Sequence, residues 1–421
     1  MENRKPVYFL KMNPSGWKRS SLAKLKAVAG EILSEAVSQR EDLLELDWCQ
    51  RHECLNALAL LRQEKCWEDE TGVRPEDSFF TLVIPIHNEE NSLPSFLHTL
   101  MLSDVPALVN MQVVFVTNAC ADSSVEVIRA FMAGLGDVEI QDVVDDFGDQ
   151  GMDRRCAVVG RGRHVYMHMN TSRPGKANAL NIGSRIASQS DHLIAMSIDA
   201  NNFTEPDAVR KLFLHAYRAF REKLEAGNTV LCCAGRMRHQ GNLNDPNSNS
   251  LLSTVSKARS HLVEDGDGVV NGWMAAWNTA WMKSIGGCPE VALEDYALGV
   301  MARASDFKVE TVEEVSGWGY VKDDFNGLMM VRARYVRGKK QIFDYVQYDP
   351  SILAVIQKES FYMRKFPFRF KHLFMKSVAS PLDAGRYMAT FLLWEYAIWR
   401  GMRDYKRNPK NQSWEKVPFT Y

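Results

Sequence analysis

The chain has 421 residues, which is more than one ordinary domain and enough to bury a large core. The apolar fraction of 46%, the charged fraction of 24% and the net charge of −1 are ordinary for a soluble protein and exclude a general polyanion binder. The eight cysteines are scattered, so we expect reduced thiols and a cytoplasmic protein. No signal peptide and no 18-residue apolar stretch is apparent, so we expect no transmembrane segment.

The sequence pattern divides the chain into three regions. Residues 1–75 have the leucine spacing of helices, residues 76–340 alternate between strand-like and helix-like patterns, and residues 341–421 are helical, basic and aromatic. From Arg332 to the C-terminus there are 18 Lys and Arg against 7 Asp and Glu. Aromatic rings and cations alternate from Phe361 to Lys371. We expect this extension to pack on the middle region. The alternatives are an interfacial patch for the inner face of a membrane or a lipid-linked acceptor, and binding of nucleic acid.

In the middle region, strands alternate with helices along the chain. Strands are predicted at Phe80–Ile86, Gln112–Val116, His192–Ile198 and Thr229–Ala234, and helices from Ser92, near Ser123, after Gly175 and near Glu205. This alternation predicts a Rossmann-like α/β fold with a mostly parallel central sheet, helices on both faces, and helical N-terminal and C-terminal extensions.

Polar residues follow the predicted strands, where open α/β sheets place their ligands. Asp199, Ala200 and Asn201 follow a buried strand, and the carboxylate and amide oxygens of Asp199 and Asn201 suit Mn2+ or Mg2+. A divalent metal site is therefore predicted there.

The turn after the first strand is a candidate cradle for a nucleotide. It contains Pro85, His87, Asn88 and Glu89. A turn at the end of a strand can present backbone N–H groups and short side chains to a base or a ribose. Asn118 follows the second strand and is a further candidate for the same contact. An ordinary turn is the alternative.

A basic segment opens the helix after Gly175. Arg173 and Lys176 lie beside the N-terminus of that helix, and Asn178 follows on it. Cations and free N–H groups at a helix N-terminus form an anion site, so Lys176 is predicted to reach a phosphate. A solvated basic turn is the alternative.

Two further segments carry candidate chemistry. Glu294 and Asp295 open a predicted helix, where carboxylates are also common caps, and Asp295 is our candidate for a general base. Arg334, Tyr335 and Arg337 combine a ring that can stack on a sugar with guanidinium groups that can bind phosphate; a solvated basic helix is the alternative.

In this order, the motifs resemble those of the family 2 glycosyltransferases, which have a GT-A fold. The matching segments are Val83–Glu90, Thr117–Asp122, Gly175–Asn181, Asp199–Asn201, Gly286–Asp295 and Val331–Tyr335. The last is similar to the Gln-x-x-Arg-Trp motif of cellulose- and hyaluronan-synthase-like members. The resemblance covers about residues 79–341.

This resemblance implies an inverting, metal-dependent transfer of a hexose or N-acetylhexosamine from a nucleotide diphosphate-sugar, with a UDP-sugar as the first candidate. The acceptor, a saccharide, a lipid-linked molecule or another small molecule, stays open. Asp295, beside Glu294, would deprotonate the acceptor, while Lys176 and a metal at Asp199 would stabilise the leaving diphosphate. Gly272, Trp273 and Met274 would lie near the sugar and the acceptor.

The chain also departs from the family pattern. Asn201 replaces the second metal-binding Asp, Thr117 replaces an Asp that often contacts uracil, and Val331 and Tyr335 replace Gln and Trp. Because no transmembrane helices follow, a single transfer is expected rather than processive synthesis. A retaining GT-A transferase and a non-catalytic nucleotide-sugar or carbohydrate-binding protein are the alternatives.

Overall fold

The computed structural model describes most of the middle region, with the largest gap at residues 241–271, and parts of its flanks. The described residues are 65, 67–69, 72–106, 109–143, 151–221, 223–235, 237–240, 272–320, 325–345, 392, 395–396, 399–403 and 405–407. The predicted helices before residue 65 and the aromatic and basic segment 361–371 lie outside these residues.

Twelve strands form two sheets. In chain order they are β1 (Phe79–Ile86), β2 (Asn110–Asn118), β3 (Glu139–Asp142), β4 (Arg155–Arg161), β5 (His164–Thr171), β6 (Ile194–Ile198), β7 (Asn202–Thr204), β8 (Thr229–Ala234), β9 (Met237–Gln240), β10 (Met274–Asn278), β11 (Lys308–Val312) and β12 (Gly317–Tyr320), as found in the described residues. The large sheet has the order β11-β8-β10-β6-β1-β2-β5-β4-β3, and the small one β7-β12-β9.

The large sheet is mostly parallel, as predicted. Strands β6, β1, β2 and β5 pair in parallel at its centre, and β8 and β11 run in the same direction. Within the described chain, only β4 and β10 run against the other strands of this sheet. The antiparallel β10 is inserted between β6 and β8, which the alternation of strands and helices did not predict.

Helices cover both faces of the large sheet, which confirms the predicted class. They are α1 (Leu93–Met101), α2 (Ser124–Leu135), α3 (Lys176–Gln189), α4 (Ala208–Ala219), α5 (Thr279–Ser284), α6 (Glu294–Ala304) and α7 (Phe325–Tyr345). Helix α7 crosses the predicted domain boundary at residue 340. Within the described residues, no helix combines the length and the apolar character needed to cross a bilayer.

The two faces of β1 explain this layered arrangement. Successive side chains of a strand point to opposite faces. Phe80, Leu82 and Ile84 enter one apolar core with residues of α1, α2 and α4, whereas Val83 enters a second core with residues of α3 and α5. Because both faces are buried, the strand is an almost continuous apolar run, as expected for a central parallel strand.

Candidate active site

Asp199 directly follows β6. The neighbouring strand β10 begins beside this end of β6, with Met274 paired to Ile198. The Asp199 N–H donates to the Trp273 carbonyl at 2.9 Å, just before β10. Since β6 and β10 are antiparallel, the chain enters β10 at the edge of the sheet where it leaves β6. This pairing brings Gly272 and Trp273 to Asp199.

Lys176 is the first residue of α3 and lies at the centre of the site. Its Nζ donates to the Gly272 carbonyl at 2.6 Å, and contacts Asp199 Oδ1 at 2.7 Å and Glu294 Oε1 at 3.2 Å. The residue is only 5% exposed. An ammonium has three N–H donors, and these three oxygens match them, so the buried charge is paired as burial requires.

The charges of this cluster shift one another's pKa values. Burial opposes the charge on Lys176, but Asp199, Glu294 and Asp295 outweigh it and raise the pKa of Lys176. Burial raises the pKa of Asp199; Lys176 opposes this shift and Glu294 adds to it. The cluster is therefore strongly coupled, and removing one charge changes the protonation of the others.

Asp295 is partly buried beside this cluster. Burial raises its pKa to about 6, the neighbouring Glu294 carboxylate adds to the rise, and Lys176 opposes it. The Tyr296 N–H donates to Asp295 Oδ1 at 2.7 Å. A Cβ added at Gly272 would lie 2.2 Å from Asp295 Oδ2, so a glycine is needed for the carboxylate to fit there.

Asn201 lies next to Asp199 and is held by Glu89. Asn201 Nδ2 donates to Glu89 Oε1 at 3.3 Å, and Ser92 Oγ donates to Glu89 Oε2 at 2.6 Å. With its amide nitrogen directed at Glu89, Asn201 keeps its amide oxygen as an acceptor. Glu89, predicted to contact a nucleotide, is a buried link between the turn after β1 and Asn201.

Asp199 and Asn201 form a sparse donor set for a cation. Among the described residues, no group of three or more His, Cys, Asp or Glu side chains is arranged to hold a metal ion. Mg2+ is usually bound through one or two carboxylates and completed by water and substrate phosphates. One carboxylate and one amide oxygen fit a cation of that kind.

The turn after β1 is fixed by hydrogen bonds to the segment after β2. His87 Nδ1 is 2.6 Å from the Asn118 carbonyl oxygen, and the Ala121 N–H donates to Asn88 Oδ1 at 2.6 Å. Asn88 has a φ of 54°, which Asn tolerates better than most residues. Pro85 is buried inside β1 and pairs with Val116, so it lies before the turn.

Asn118 connects the end of β2 to the start of α3. Asn118 Nδ2 donates to the Gly175 carbonyl at 2.6 Å, and the side chain is buried. Gly175 has a φ of 123°, which L side chains rarely adopt. Asn178 is also buried. A direct contact of Asn118 or Asn178 with a nucleotide stays a prediction, whereas the hydrogen bond from Asn118 to Gly175 identifies Asn118 as a support of the α3 N-terminus.

Arg173 and Trp273 both make contacts within the protein, and their predicted roles near the donor stay predictions. Arg173 forms an ion pair with Glu290 at the approach to α6. Trp273 is only 4% exposed, and its Nε1 donates to the Gly235 carbonyl at 3.3 Å. Its ring is therefore a core side chain, while its carbonyl fixes Asp199. Ala200 is buried in the same core.

Helix α7 packs against the start of α6. A Cβ added at Gly338 would lie 2.6 Å from Leu293 Cγ, so the two elements are in close contact. Burial raises the pKa values of Asp199 and Asp295, and Lys176 lowers them. Arg334 is close enough to lower both pKa values further, by a smaller amount than Lys176. Tyr335 packs on the Leu293 cluster.

Arg337 corrects one expectation about α7. Its side chain is only 5% exposed. The alternative of a wholly solvated basic helix is therefore wrong at this position, because the helix face that carries Arg337 is covered.

Two residues lie in the quoted sequence motifs but have structural roles that the sequence did not predict, Gly272 and Asn181. The Gly272 carbonyl accepts a hydrogen bond from Lys176. Because Gly272 has no side chain, the Asp295 carboxylate has room beside it. Asn181 donates to the Cys288 carbonyl at 3.0 Å and accepts from the Cys288 N–H at 2.6 Å, which ties α3 to the approach to α6. Asn181 lies in the same motif as Lys176, so the sequence could have indicated that it belongs to the site. The contact of Gly272 is made by a backbone carbonyl, which every residue has, so no residue type indicates it.

No protein-family model matches the chain, and no curated protein matches it. Among solved structures, the mannosyltransferase PcManGT from Pyrobaculum calidifontis in complex with GDP-Man and Mn2+ is similar, with 19% identity over 93% of this chain and 100% of that chain and a TM-score of 0.47. S. aureus TarS 1-349 in complex with UDP-GlcNAc has 12% identity over 78% of this chain and 92% of that chain, with a TM-score of 0.37. Both TM-scores are below 0.5, so neither similarity assigns a function to this chain.

Proposed function

We propose that this chain is a glycosyltransferase that transfers a sugar from a nucleotide diphosphate-sugar to an acceptor hydroxyl, with the GT-A arrangement of family 2. One observation supports this above others. The buried Lys176 joins Asp199, at the end of β6, to Glu294, at the start of α6. A carboxylate suited to a metal, a buried cation beside it and the raised-pKa carboxyl of Asp295 thus belong to one cluster.

Asp295 is the proposed general base. It takes the proton of the acceptor hydroxyl as the acceptor oxygen bonds to the anomeric carbon, and the bond from that carbon to the diphosphate oxygen breaks. The nucleoside diphosphate leaves with the bonding electrons. A single displacement of this kind inverts the anomeric configuration. Glu294 is the weaker candidate because its carboxylate already pairs with Lys176.

Asp199 and Asn201 would hold Mn2+ or Mg2+. When bound, such a cation supplies positive charge to the leaving diphosphate. Glu89 orients Asn201 for this role through the amide nitrogen. Lys176 fixes the Asp199 carboxylate and contributes a second positive charge close to it.

We further propose a single, non-processive transfer of a hexose or an N-acetylhexosamine, and a UDP-sugar as the first donor to test. Arg334, Tyr335 and Arg337 remain our candidates for contacts with the acceptor or the diphosphate. The acceptor chemistry stays open.

The test measures release of nucleoside diphosphate by the full chain from a panel of UDP- and GDP-sugars with Mn2+. We expect turnover with at least one donor. The value of kcat/KM should fall below about pH 6, because Asp295 must be ionised to act as a base. Asp295→Asn should lower turnover by about 100-fold or more. Asp207→Asn is the matched control, because Asp207 pairs with Lys211 on α4, away from the site.

Each alternative corresponds to a different result of this experiment. Unchanged turnover in Asp295→Asn contradicts the base assignment, and full activity in EDTA contradicts the role of Asp199 and Asn201 in metal binding. A product with retained anomeric configuration identifies a retaining transferase. Donor binding without turnover identifies a non-catalytic binding protein.

A further inference from the structure

The helical residues near the C-terminus have one side that packs on α7. A Cβ added at Gly401 would lie 2.6 Å from the Ala333 carbonyl oxygen and 2.8 Å from Val336 Cβ. The Tyr405 hydroxyl donates to the Asp344 carboxylate on the same helix. This side is therefore occupied by the protein itself.

The opposite side carries a stripe of exposed residues, which we call the C-terminal stripe. It consists of Leu392, Tyr396, Trp399, Arg403, Lys406 and Arg407. At 3.6 residues per turn, these positions fall within an arc of about 100°, directly opposite Gly401. The stripe is thus the face of this segment that points away from α7.

The first half of the C-terminal stripe is apolar and exposed. Leu392 is 60% exposed, Tyr396 46% and Trp399 54%, and the rings of Tyr396 and Trp399 are 5.8 Å apart. The described chain has seven exposed large apolar side chains, and three of them lie between positions 392 and 399. Such a concentration on one helical face marks an interaction surface.

The second half of the C-terminal stripe is cationic. Arg403, Lys406 and Arg407 are exposed, and the Arg403 guanidinium lies 4.7 Å from the centre of the Trp399 ring. Aromatic and aliphatic side chains beside cations on one helical face are typical of helices that lie in the interface of an anionic bilayer. Tyr and Trp also favour the headgroup level of membranes.

We propose that the C-terminal stripe binds the surface of an anionic lipid bilayer, with Leu392, Tyr396 and Trp399 inserted among the headgroups and Arg403, Lys406 and Arg407 on the lipid phosphates. Charge complementarity favours this occupant, because the charged residues of the C-terminal stripe, Arg403, Lys406 and Arg407, are all cationic and exposed. The inference does not depend on the proposed transferase activity, since binding is measured without a donor.

The test is flotation of the full chain with vesicles of phosphatidylcholine containing about one third phosphatidylserine at low salt. We expect the wild type to float with these vesicles and to stay unbound with pure phosphatidylcholine. Tyr396→Ser combined with Trp399→Ser, and separately Arg403→Glu combined with Lys406→Glu, should each lower the partition coefficient about tenfold or more.

Matched controls lie elsewhere on the surface. Ile140→Ser removes an apolar side chain that is even more exposed, on the edge strand β3, and Lys223→Glu with Arg155→Glu reverses two exposed cations away from the stripe. Both controls should bind the vesicles within about twofold of the wild type in the same assay, because the field of a distant charge is screened.

Three results would overturn the proposal. The first is a wild type that does not float with anionic vesicles at low salt. The second is stripe variants that bind as tightly as the controls. The third is a melting temperature that falls much more in Tyr396→Ser/Trp399→Ser than in Ile140→Ser, because it would mean that the stripe packs against another part of this chain.

Discussion

Lys176 determines the electrostatics of the candidate site at the scale of single residues. Its ammonium contacts two carboxylates and one carbonyl, all of them buried or partly buried. Removing one partner of a buried ion pair leaves an uncompensated charge, which costs about 3–5 kcal/mol. The residue therefore serves both the stability of the fold and the protonation of its neighbours.

Lys176→Met should move the acidic limb of kcat/KM to higher pH than in the wild type. The reason is that the ammonium lowers the pKa of Asp295, which burial holds at about 6. Lys176→Arg keeps the positive charge and should leave the limb close to its wild-type position. The measurement is a pH–rate profile of each variant, with the melting temperature recorded beside it.

Lys211→Met serves as the control for this series, since Lys211 pairs with Asp207 on the surface of α4. A folded Lys176→Met protein whose acidic limb coincides with that of the wild type would contradict the coupling between Lys176 and Asp295.

The side chains of the cluster could be predicted from the sequence because each follows a local pattern. Asp199 follows a buried strand, and Lys176, Glu294 and Asp295 lie at helix starts. The role of Gly272 could not be predicted, since it acts through a carbonyl and through the space that a side chain would fill. Contacts of that kind leave no residue pattern.

At the scale of elements, the parallel centre of the sheet was predictable and β10 was not. Strands β1, β2 and β6 are apolar runs separated by helices, which is the sequence pattern of a parallel sheet. Strand β10 has five residues and is not separated from the preceding strand β9 by a described helix. Its antiparallel direction is defined only by its pairing with β6 and β8. The strand that brings Gly272 to the site was thus among the strands that the sequence pattern did not predict, together with β3, β4, β5, β7, β9, β11 and β12.

Gly183→Ala should destabilise the protein through the contact of α3 with β1. A Cβ at this position would lie 2.3 Å from Val83 Cγ2 and 2.9 Å from Val83 Cβ. Overpacking costs about 1–3 kcal/mol, which exceeds the gain in helix propensity of up to about 1 kcal/mol. Urea unfolding measures the difference in the free energy of unfolding.

Gly134→Ala is the matched control for Gly183→Ala. Gly134 lies on α2, and an added Cβ there meets no atom within 4 Å. This variant should be as stable as the wild type or up to about 1 kcal/mol more stable. Equal stabilities of the two variants would show that α3 does not rest on Val83 as described.

At the scale of the whole molecule, two buried histidines make the fold sensitive to acid. His168 and His192 lie on opposite sides of the central strands and contact Thr117 and Thr81, respectively. Burial lowers the pKa of each to about 4. Both are therefore neutral in the folded protein at pH values where a solvated histidine is already protonated.

The free energy of unfolding should fall as the pH drops from about 6.5 towards 4. In this window the unfolded chain binds protons at these two positions and the folded chain does not, so each histidine contributes a loss of about 1.4 kcal/mol per pH unit. Urea unfolding at several pH values measures this slope.

His192→Gln should reduce the slope by about half of the combined contribution of His168 and His192, whereas His98→Gln, at an exposed position on α1, should leave the slope close to that of the wild type. Identical slopes in all three proteins would contradict the assignment of acid sensitivity to the buried rings.

The contact between Lys176 and Glu294 joins residues that are 118 positions apart in the chain. Long-range contacts of this kind form slowly, because the entropy of closing the intervening segment must be overcome first. No fragment that ends before α6 can contain the complete cluster. During refolding from denaturant, enzymatic activity should therefore recover in the slowest phase, after the helical signal has returned, and can serve as a reporter of the last step of chain assembly.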